Sequence, residues 1–350
     1  VKNAILGDIL SDTRQLEIHP LVFLRHALIL GASGSGKTVL GKVILEEMLL
    51  GGNSALVIDP QGDLCSLALE NSEQGKQLAK NVPIKIFTPN SSKGIRLAID
   101  LLATPPKEIL ADPESLAIVL DATATQILDV LGYNLKRLPP EKAFLEAILK
   151  EDWTNNKKLD IHSLARRIDE TETIRSVNDG VEIEVPALLK KLKQKELSQQ
   201  LMKLAIGVDG SFFMGGTPIP LEDLATKPPQ LNIVNLASVG TDPVKRRLVV
   251  SWILRSVYDW LLRNPQQSQN NIRFVLYIDE VADFMPAHPE NPPSKKMLML
   301  LMRQARKYGC ACIIATQSPA TIDYKAIDNV NTIFVGRIPT QQSLDKISTF

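Results

Sequence analysis

The stretch 28-LILGASGSGKTVLGKV-43 decides the fold, because it joins an apolar run to an amphipathic run through a glycine-rich turn. Its residues Gly31, Gly36, Lys37 and Thr38 satisfy the pattern G-x-x-x-x-G-K-[ST]. The run before the glycines is short and apolar, as in a buried strand, and the run after them repeats its apolar residues at helical spacing. A strand that enters a helix through glycines aims backbone N–H groups at a phosphate, at the positive end of the helix dipole. The stretch therefore predicts a phosphate-binding loop rather than an ordinary flexible turn.

The residues of this loop would take separate roles toward a bound nucleotide. Lys37 would reach the outer phosphates, and the Thr38 hydroxyl would be a ligand of Mg²⁺. The nucleotide contacts are expected to cover the whole loop and the residue after it, namely Gly31, Ala32, Ser33, Gly34, Ser35, Gly36, Lys37, Thr38 and Val39.

Bulk composition limits the class of protein without naming its partner. The chain has 350 residues, of which 44% are hydrophobic and 23% are charged, so it can build a large globular core. The net charge is +1, which means that any surface for nucleic acid must be local. Three cysteines without a C-x-x-C pair indicate a reducing, cytoplasmic setting. No apolar run approaches the length of about 18 residues that a membrane span needs.

Short apolar runs recur along the chain and alternate with helical patterns. They are rich in Val, Ile and Leu and lack polar alternation, which is typical of strands buried on both faces of a parallel sheet. The predicted strands are 26–30, 54–59, 83–87, 230–236, 273–280, 311–317 and 331–337. The fold class is therefore α/β, with a mainly parallel central sheet.

A different pattern occupies the middle of the chain, where amphipathic helices are expected over 114–131, 141–153, 161–170 and 185–205. Proline pairs stand at both limits of this segment. The predicted organisation has three parts. A lead-in hairpin covers 1–25, a two-part core covers 26–103 and 230–350, and a helical insertion covers 104–229. The chain opens on Val1 and closes in a helix-like stretch, so it is expected to be a fragment.

Two adjacent carboxylates follow the strand predicted at 273–280. Asp279 and Glu280 would lie at the carboxyl end of a buried strand, and ligands bind at that edge of an open α/β sheet. There Asp279 would hold Mg²⁺ through water, and Glu280 would orient and deprotonate the water that attacks the nucleotide. The alternative is a strand that merely ends in solvated acids. The phosphate-binding loop on a matching strand favours the catalytic interpretation.

Polar residues also end two other predicted strands. Gln317 follows a buried run and is a candidate sensor of the outermost phosphate, although a glutamine that caps a loop is the alternative. Asp59 ends the strand that follows the helix of the phosphate loop. It would supplement the catalytic carboxylate, or it would simply stabilise the turn in 59-DPQGD-63.

The helix expected before the sensor strand carries Arg303 and Arg306. A phosphate-binding loop leaves the nucleotide open on one side, and a neighbouring subunit often closes that side with an arginine finger. A solvated helix end, with cations at the negative end of the helix dipole, is the other interpretation.

Five motifs occur in an order that points to one family. They are 31-GASGSGKT-38, 59-DPQGDL-64, 277-YIDE-280, 303-RQARKYG-309 and 315-ATQSP-319. In order and placement they resemble the HerA/FtsK superfamily of hexameric ATPases, and most closely the HerA helicase central domain and the related ATPases of conjugative type IV secretion. The resemblance covers residues 1–103 and 230–350, while the helical insertion has no counterpart that can be matched by residue.

The resemblance implies a RecA-like P-loop NTPase that uses ATP and Mg²⁺. It supports the roles given above to the loop, the acidic pair and the sensor glutamine. It also implies that Arg303 or Arg306 acts in trans, on the site of a neighbouring subunit, and that Asp59 matches an acidic position near the site.

The function implied by the resemblance is an ATP-hydrolysing motor that forms a homo-hexamer and translocates or unwinds double-stranded DNA without sequence preference. Two alternatives stay open, an ATPase that powers conjugative type IV-like export and a nucleotide-dependent switch with slow turnover. A nuclease partner would accompany the first function and secretion components the second. Basic clusters at 166–167 and 190–195 are candidate DNA contacts or ordinary solvated faces. The proline-rich loop that ends in Lys295 and Lys296 is a candidate segment facing a central pore.

Overall fold

A computed structural model describes residues 3–10, 13–70, 73–134, 139–206, 215–227, 229–265, 271–317, 321–323, 325 and 328–338. Ser318 and Pro319 of the last motif lie outside the described residues, as does the helix-like stretch expected at the C-terminus.

Strands and helices alternate over most of the described chain. The strands are β1 (Ala4–Asp8), β2 (Gln15–Ile18), β3 (Ala27–Leu30), β4 (Ser54–Asp59), β5 (Ile84–Thr88), β6 (Ile95–Arg96), β7 (Thr173–Arg175), β8 (Glu182–Glu184), β9 (Leu231–Asn235), β10 (Phe274–Ile278), β11 (Cys310–Thr316) and β12 (Thr332–Val335). The α-helices are α1 (Lys37–Leu50), α2 (Glu73–Asn81), α3 (Lys107–Ala111), α4 (Pro113–Val130), α5 (Pro140–Thr154), α6 (Ile161–Glu170), α7 (Val185–Leu188), α8 (Lys191–Ile206), α9 (Leu221–Thr226), α10 (Pro243–Arg263) and α11 (Pro293–Gln304).

Eight strands form one central sheet in the order β12-β3-β11-β10-β4-β9-β5-β6, and every neighbouring pair is parallel. The strands β3, β4, β10 and β11 are buried along their whole length, because helices cover both faces. Each of the seven predicted strands lies in this sheet, and the mainly parallel α/β class is confirmed. The short β6 was not predicted, since two residues carry no periodic pattern.

The two faces of the sheet are covered by different parts of the chain. On one face α1 packs Ile44, Leu45 and Met48 against the strands, together with the short 3₁₀ helix Pro20–Arg25. On the other face one continuous apolar cluster joins α10, α11 and most helices of the segment 104–229. That segment therefore shares the core of the sheet instead of burying a core of its own.

The entry into the segment 104–229 is held by Trp153 of α5 and by α10, a long helix that was not predicted from the sequence. The indole N–H groups of Trp252 and Trp153 donate to the carbonyls of Asp100 and Leu102, over 2.9 and 3.1 Å. The guanidinium of Arg255 donates to the carbonyl of Ala103 over 2.6 Å and lies over the Trp153 ring. These contacts hold the connection rigidly against the core.

One helix expected in this segment is divided into two. The prediction of a continuous helix over 185–205 is wrong, because α7 ends at Leu188 and α8 begins at Lys191. Leu189 between them is extended, with φ −136° and ψ 120°, and its side chain is buried. Burial of this leucine outweighs the helical propensity of the stretch. The segment also contains the antiparallel hairpin β7–β8, which the helical pattern did not predict.

The first described residues form an antiparallel hairpin of β1 and β2 that lies beside α1. The Ile5 N–H donates to the Glu47 carboxylate over 2.9 Å, which ties this hairpin to the helix of the phosphate loop. Within the ranges described, no helix has the length and apolarity needed to cross a membrane. Cys65, Cys310 and Cys312 are free thiols.

Candidate nucleotide site

The loop between β3 and α1 has the backbone shape of a phosphate cradle. Gly34 and Gly36 have φ values of +72° and +89°, in the left-handed region that glycine adopts without strain. A Cβ added at Gly31 would lie 2.3 Å from Ser35 Oγ, 3.1 Å from Ser35 Cβ and 3.3 Å from Gly336 Cα, so glycine suits the close approach of the chain here. The helix α1 begins at Lys37, directly after the glycines, and its unpaired N–H groups therefore face the loop. This geometry fits a phosphate group.

The chain that continues from β12 holds the phosphate loop in place. The Gly336 N–H donates to the Leu30 carbonyl over 2.6 Å, and the Ala32 N–H donates to the Arg337 carbonyl over 2.9 Å. The Lys37 side chain is only 8% exposed, and its Nζ donates to the Ala32 carbonyl over 3.3 Å. The loop is therefore preorganised by a neighbouring strand. Sequence reasoning missed this contact, for which the only signal was the Gly-Arg pair at the end of a predicted strand.

The helix of the phosphate loop lies unusually close to β10. A Cβ added at Gly41 would lie 2.2 Å from the Tyr277 hydroxyl oxygen and 2.9 Å from its ring carbon Cζ. Tyr277 is fully buried, and its hydroxyl has no hydrogen-bond partner in the part of the chain that the structure describes. The glycine in the first half of α1 therefore allows the phosphate-binding helix to rest directly on the strand that leads to the acidic pair.

The acidic pair follows β10 at the carboxyl edge of the sheet, the same edge as the phosphate loop. Asp279 is 6% exposed, and its N–H donates to the Ile58 carbonyl over 3.1 Å. Burial, and to a smaller extent the carboxylates of Asp59 and Glu280, raises the pKa of Asp279 to about 6, whereas Lys37 acts in the opposite direction. Charged groups from the ends of β4 and β10 and from the start of α1 therefore surround Asp279.

These residues fit a Mg²⁺ ion that is held jointly with a nucleotide. Mg²⁺ is usually bound by one or two carboxylates together with phosphate oxygens and water. Thr38 and Asp279 are the protein groups that would hold it, and a cation beside Asp279 would favour its ionised form. Among the described residues no group of three or more His, Cys, Asp or Glu could hold a metal ion by itself.

Glu280 takes up an unusual backbone conformation that directs its side chain to the neighbouring strand. Its φ of +39° lies in the left-handed region that non-glycine residues rarely occupy. Its Oε1 accepts a hydrogen bond from the Thr316 hydroxyl over 3.1 Å and one from the Gln317 N–H over 3.3 Å. The structure thus brings together the predicted base and the predicted sensor. The structure also brings Thr316 into this group of residues. Thr316 was not predicted from the sequence, although a polar residue at the end of an apolar strand is a signal that could have identified it.

Asp59 lies at the same edge, but its carboxylate serves the adjacent turn. The residue is fully buried, and its two oxygens accept hydrogen bonds from the N–H groups of Gly62 and Leu64, each over 2.8 Å. Burial raises the pKa of Asp59, although these backbone hydrogen bonds oppose the change. The geometry favours the turn interpretation, with an electrostatic effect on Asp279.

The two candidate arginines lie at the opposite edge of the sheet. Arg303 is in the last turn of α11, and Arg306 is in the 3₁₀ helix Ala305–Tyr308; both are exposed. The expectation that one helix carries both is wrong, since α11 ends at Gln304. These elements lead into the amino end of β11, whereas Gln317 follows its carboxyl end. Because a strand of this length spans about 20 Å, neither arginine lies beside the phosphate loop of its own chain.

The lysine pair after the proline-rich loop has structural contacts. Lys295 is 5% exposed, and its Nζ donates to the carbonyls of Pro286 and Glu290 over 2.9 and 3.0 Å. It also forms a 2.6 Å ion pair with Asp323, while Lys296 pairs with a carboxylate of α4. Lys295 is therefore a structural residue rather than a free surface cation, and Lys296 is held by an ion pair.

The basic clusters of the helical segment are mixed in character. Arg167 forms ion pairs with Glu151 and Asp152, and Lys193 pairs with Glu196 on its own helix. The remaining members of the clusters are exposed: Arg166, Lys190, Lys191 and Lys195.

Comparison with known proteins places this geometry in a family. The family model described as "Helicase HerA, central domain" matches residues 6–257. The DNA double-strand break repair helicase HerA of Sulfolobus acidocaldarius is 20% identical over 334 residues. That match takes in 95% of this chain and 59% of the relative, so the chain spans less than two thirds of the length of that protein.

Solved structures with the same fold include VirB4 and the plasmid coupling protein TrwB. VirB4 of Thermoanaerobacter pseudethanolicus superposes with a TM-score of 0.67 at 16% identity, over 99% of this chain and 87% of its own. The plasmid coupling protein TrwB, in complex with a non-hydrolysable ATP analogue, gives a TM-score of 0.53 at 15% identity. This match covers 93% of the present chain and 69% of the TrwB chain. These likenesses confirm the RecA-like P-loop fold.

Proposed function

The chain belongs to the family of the HerA helicase central domain, and from this premise we propose that it hydrolyses ATP in a homo-hexameric ring that moves along double-stranded DNA. The organisation into a lead-in hairpin (1–25), a two-part core (26–103 with 230–350) and a helical insertion (104–229) belongs to the same proposal, as does a cytoplasmic location, which the free thiols support. Export by a secretion system and a slow nucleotide switch are the competing functions.

One observation carries the proposal, namely the division of the machinery between two edges of the sheet. The phosphate loop, Asp279, Glu280 and Gln317 lie at the carboxyl ends of the strands, whereas Arg303 and Arg306 precede an amino end. An arginine finger from these positions can serve only the site of another subunit. A head-to-tail contact of this kind is heterologous, and such contacts close into rings when the rotation between subunits permits.

The chemistry then follows from the residues at the carboxyl edge. The N–H groups of the loop and the Lys37 ammonium would hold the phosphates, and Mg²⁺ bound by Thr38 and Asp279 would neutralise charge on them. Glu280 would accept the proton of the attacking water. Gln317 would contact the outermost phosphate. TrwB, which shares this fold, has been solved with an ATP analogue, with a GTP analogue and with ADP and Mg²⁺, which supports a nucleotide with Mg²⁺ as the ligand; ATP is the nucleotide proposed for this chain.

Mixing two inactive variants tests the action of an arginine in trans. We expect Arg303→Ala or Arg306→Ala, whichever removes the finger, to bind ATP yet lose most of its hydrolysis rate. A one-to-one mixture of that variant with Lys37→Ala should regain about a quarter of the wild-type rate, because a heterologous interface pairs an intact loop with an intact finger in about one case in four. The rate of phosphate release measures this recovery.

The controls for this experiment are the two variants assayed separately, each at the same total protein concentration. Both samples should stay inactive. A finger that acts within its own chain gives no intact site in any mixture. Rings shown by native mass spectrometry to contain both variants, but without recovered activity, would remove the assignment for that arginine.

The DNA-translocation function is tested by the ATPase rate with and without double-stranded and single-stranded DNA. Double-stranded DNA should raise the rate, because a motor couples hydrolysis to its track. Binding should involve mainly phosphates, so that affinity falls by roughly 0.9 decades per decade of salt for each phosphate neutralised. Fluorescence anisotropy with duplexes of two unrelated sequences, in the presence of a non-hydrolysable ATP analogue, gives this slope. Hydrolysis that is active but unaffected by either DNA would favour the export or switch function instead.

A further inference from the structure

Thr316 is a buried polar residue at the centre of the site to which the chemistry above gives no role. It ends β11, whose other residues are cysteine, alanine and isoleucine, and every residue of this strand is buried. A buried hydroxyl group needs a hydrogen-bond partner. The Thr316 hydroxyl donates to Glu280 Oε1 over 3.1 Å.

The positions of the strands place this contact between the acidic pair and the phosphate loop. The pairing of β10 with β11 ends at Ile278 and Ile314, and Glu280 and Thr316 each lie two residues beyond that pair. On its other side β11 pairs with β3, where Thr316 lies opposite Leu30 and its carbonyl accepts a long hydrogen bond of 3.4 Å from the Gly31 N–H. Thr316 therefore stands between the acidic pair and the phosphate loop.

The hydrogen bonds divide the two oxygens of the Glu280 carboxylate. Oε1 accepts from both the Thr316 hydroxyl and the Gln317 N–H. No residue in the described ranges donates to Oε2, which is thus the oxygen available to a water molecule. The backbone at Glu280 is in the left-handed region, and the contacts of its side chain with the end of β11 help to hold this unfavourable conformation.

We propose that Thr316 is a positioning residue that fixes the Glu280 carboxylate for proton transfer and couples it to the sensor Gln317. The hydroxyl occupies one carboxylate oxygen and leaves the other for the attacking water. Because the Gln317 N–H shares Oε1, a movement of the sensor when phosphate leaves also moves the base. This inference rests on the proposed ATP hydrolysis and adds a residue to it.

The test compares variants that lack the hydroxyl with one that keeps it. Thr316→Val and Thr316→Ala should lower kcat by about 10- to 100-fold, the loss expected when a reacting group is misplaced. Their KM for ATP and their affinity for a fluorescent ATP analogue should stay within about twofold, because Thr316 does not bind the nucleotide. Thr316→Ser keeps the donor and should retain most of the rate. Thr88→Val is a matched control, since Thr88 is a buried threonine at the end of β5, remote from Glu280, and its loss should leave kcat unchanged.

A double-mutant cycle separates positioning from a structural effect. In the Glu280→Gln background the hydroxyl should have little left to position, so Thr316→Ala should lower the residual single-turnover rate far less than it lowers the wild-type rate. Equal losses in both backgrounds, equal losses for Ser and Ala, or wild-type kcat in the Ala variant would each overturn the proposal. The proposed function is judged separately, by the wild-type rate and its loss in Lys37→Ala, and can stand when the role of Thr316 does not.

Discussion

Lys37→Ala is expected to abolish ATP hydrolysis, with a fall of at least about 100-fold in kcat/KM, and to weaken ATP binding strongly. Lys37 begins α1 directly after the loop glycines, and its side chain is almost fully buried within the cradle. Its ammonium is the main side-chain cation that the described site offers to the outer phosphates. A donor aimed at developing charge in a water-poor site typically contributes about 10² to 10³ in rate. Hydrolysis assays and calorimetric titration with an ATP analogue measure the two losses.

Lys42→Ala is the matched control for this prediction. Lys42 lies on the same helix, and this substitution removes the same charge at a position away from the phosphate loop. It should hydrolyse ATP at the wild-type rate. Lys37→Ala should also keep the wild-type unfolding temperature within a few degrees, because its one hydrogen bond within the chain is to the loop carbonyl of Ala32. Normal turnover in a folded Lys37→Ala protein would contradict the nucleotide site itself.

The parts of the fold that the sequence predicts are those encoded by local pattern. Continuous apolar runs identify seven strands of the sheet. Strands that are covered on both faces lack an alternation of polar and apolar residues, so these runs are not confused with another kind of element. The phosphate loop is equally local, since its glycines are required by backbone conformation and by close approach within eight consecutive residues. The acidic pair and Gln317 follow from their positions at strand ends.

The parts that the sequence does not predict depend on contacts between distant segments. The clamp of Gly336 on the phosphate loop joins residues about 300 positions apart, and the packing of Gly41 on Tyr277 joins two separate motifs. Neither has a periodic signal. The break at Leu189 arises because tertiary burial outweighs a helical pattern that the sequence shows clearly.

Charge patterns are misread for the same reason. Lys295 follows a proline-rich loop and looks solvated in the sequence, yet it is buried and holds that loop through two carbonyls and Asp323. A lysine can become a structural residue whenever carbonyls and a carboxylate converge on it, and no local feature of the sequence reports that convergence.

Glu280→Gln is expected to bind Mg²⁺–ATP with wild-type affinity and to hydrolyse it about 10² to 10⁴ times more slowly, the range typical for loss of a general base. The amide has the shape of the carboxylate, and its oxygen can still accept the hydrogen bonds of the Thr316 hydroxyl and the Gln317 N–H. The left-handed backbone at this residue is also retained, so the fold and the nucleotide pocket stay intact. Only the capacity to accept a proton from water is lost.

Asp279→Asn is the matched comparison, because it changes the adjacent carboxylate in the same way but removes the charge that is proposed to hold Mg²⁺. Its defect should appear as weaker Mg²⁺-dependent nucleotide binding, whereas the defect of Glu280→Gln should appear in single-turnover hydrolysis with binding preserved. The difference follows from geometry, since Asp279 is buried among Lys37, Asp59 and Glu280, while the Glu280 carboxylate is bound to the end of β11. If Glu280→Gln turned over at the wild-type rate, the base would have to be another residue, and Asp59 is the first to test. Asp59 could take that role only by giving up its hydrogen bonds to Gly62 and Leu64, so Asp59→Asn would then have to stop hydrolysis without unfolding the turn that those bonds hold.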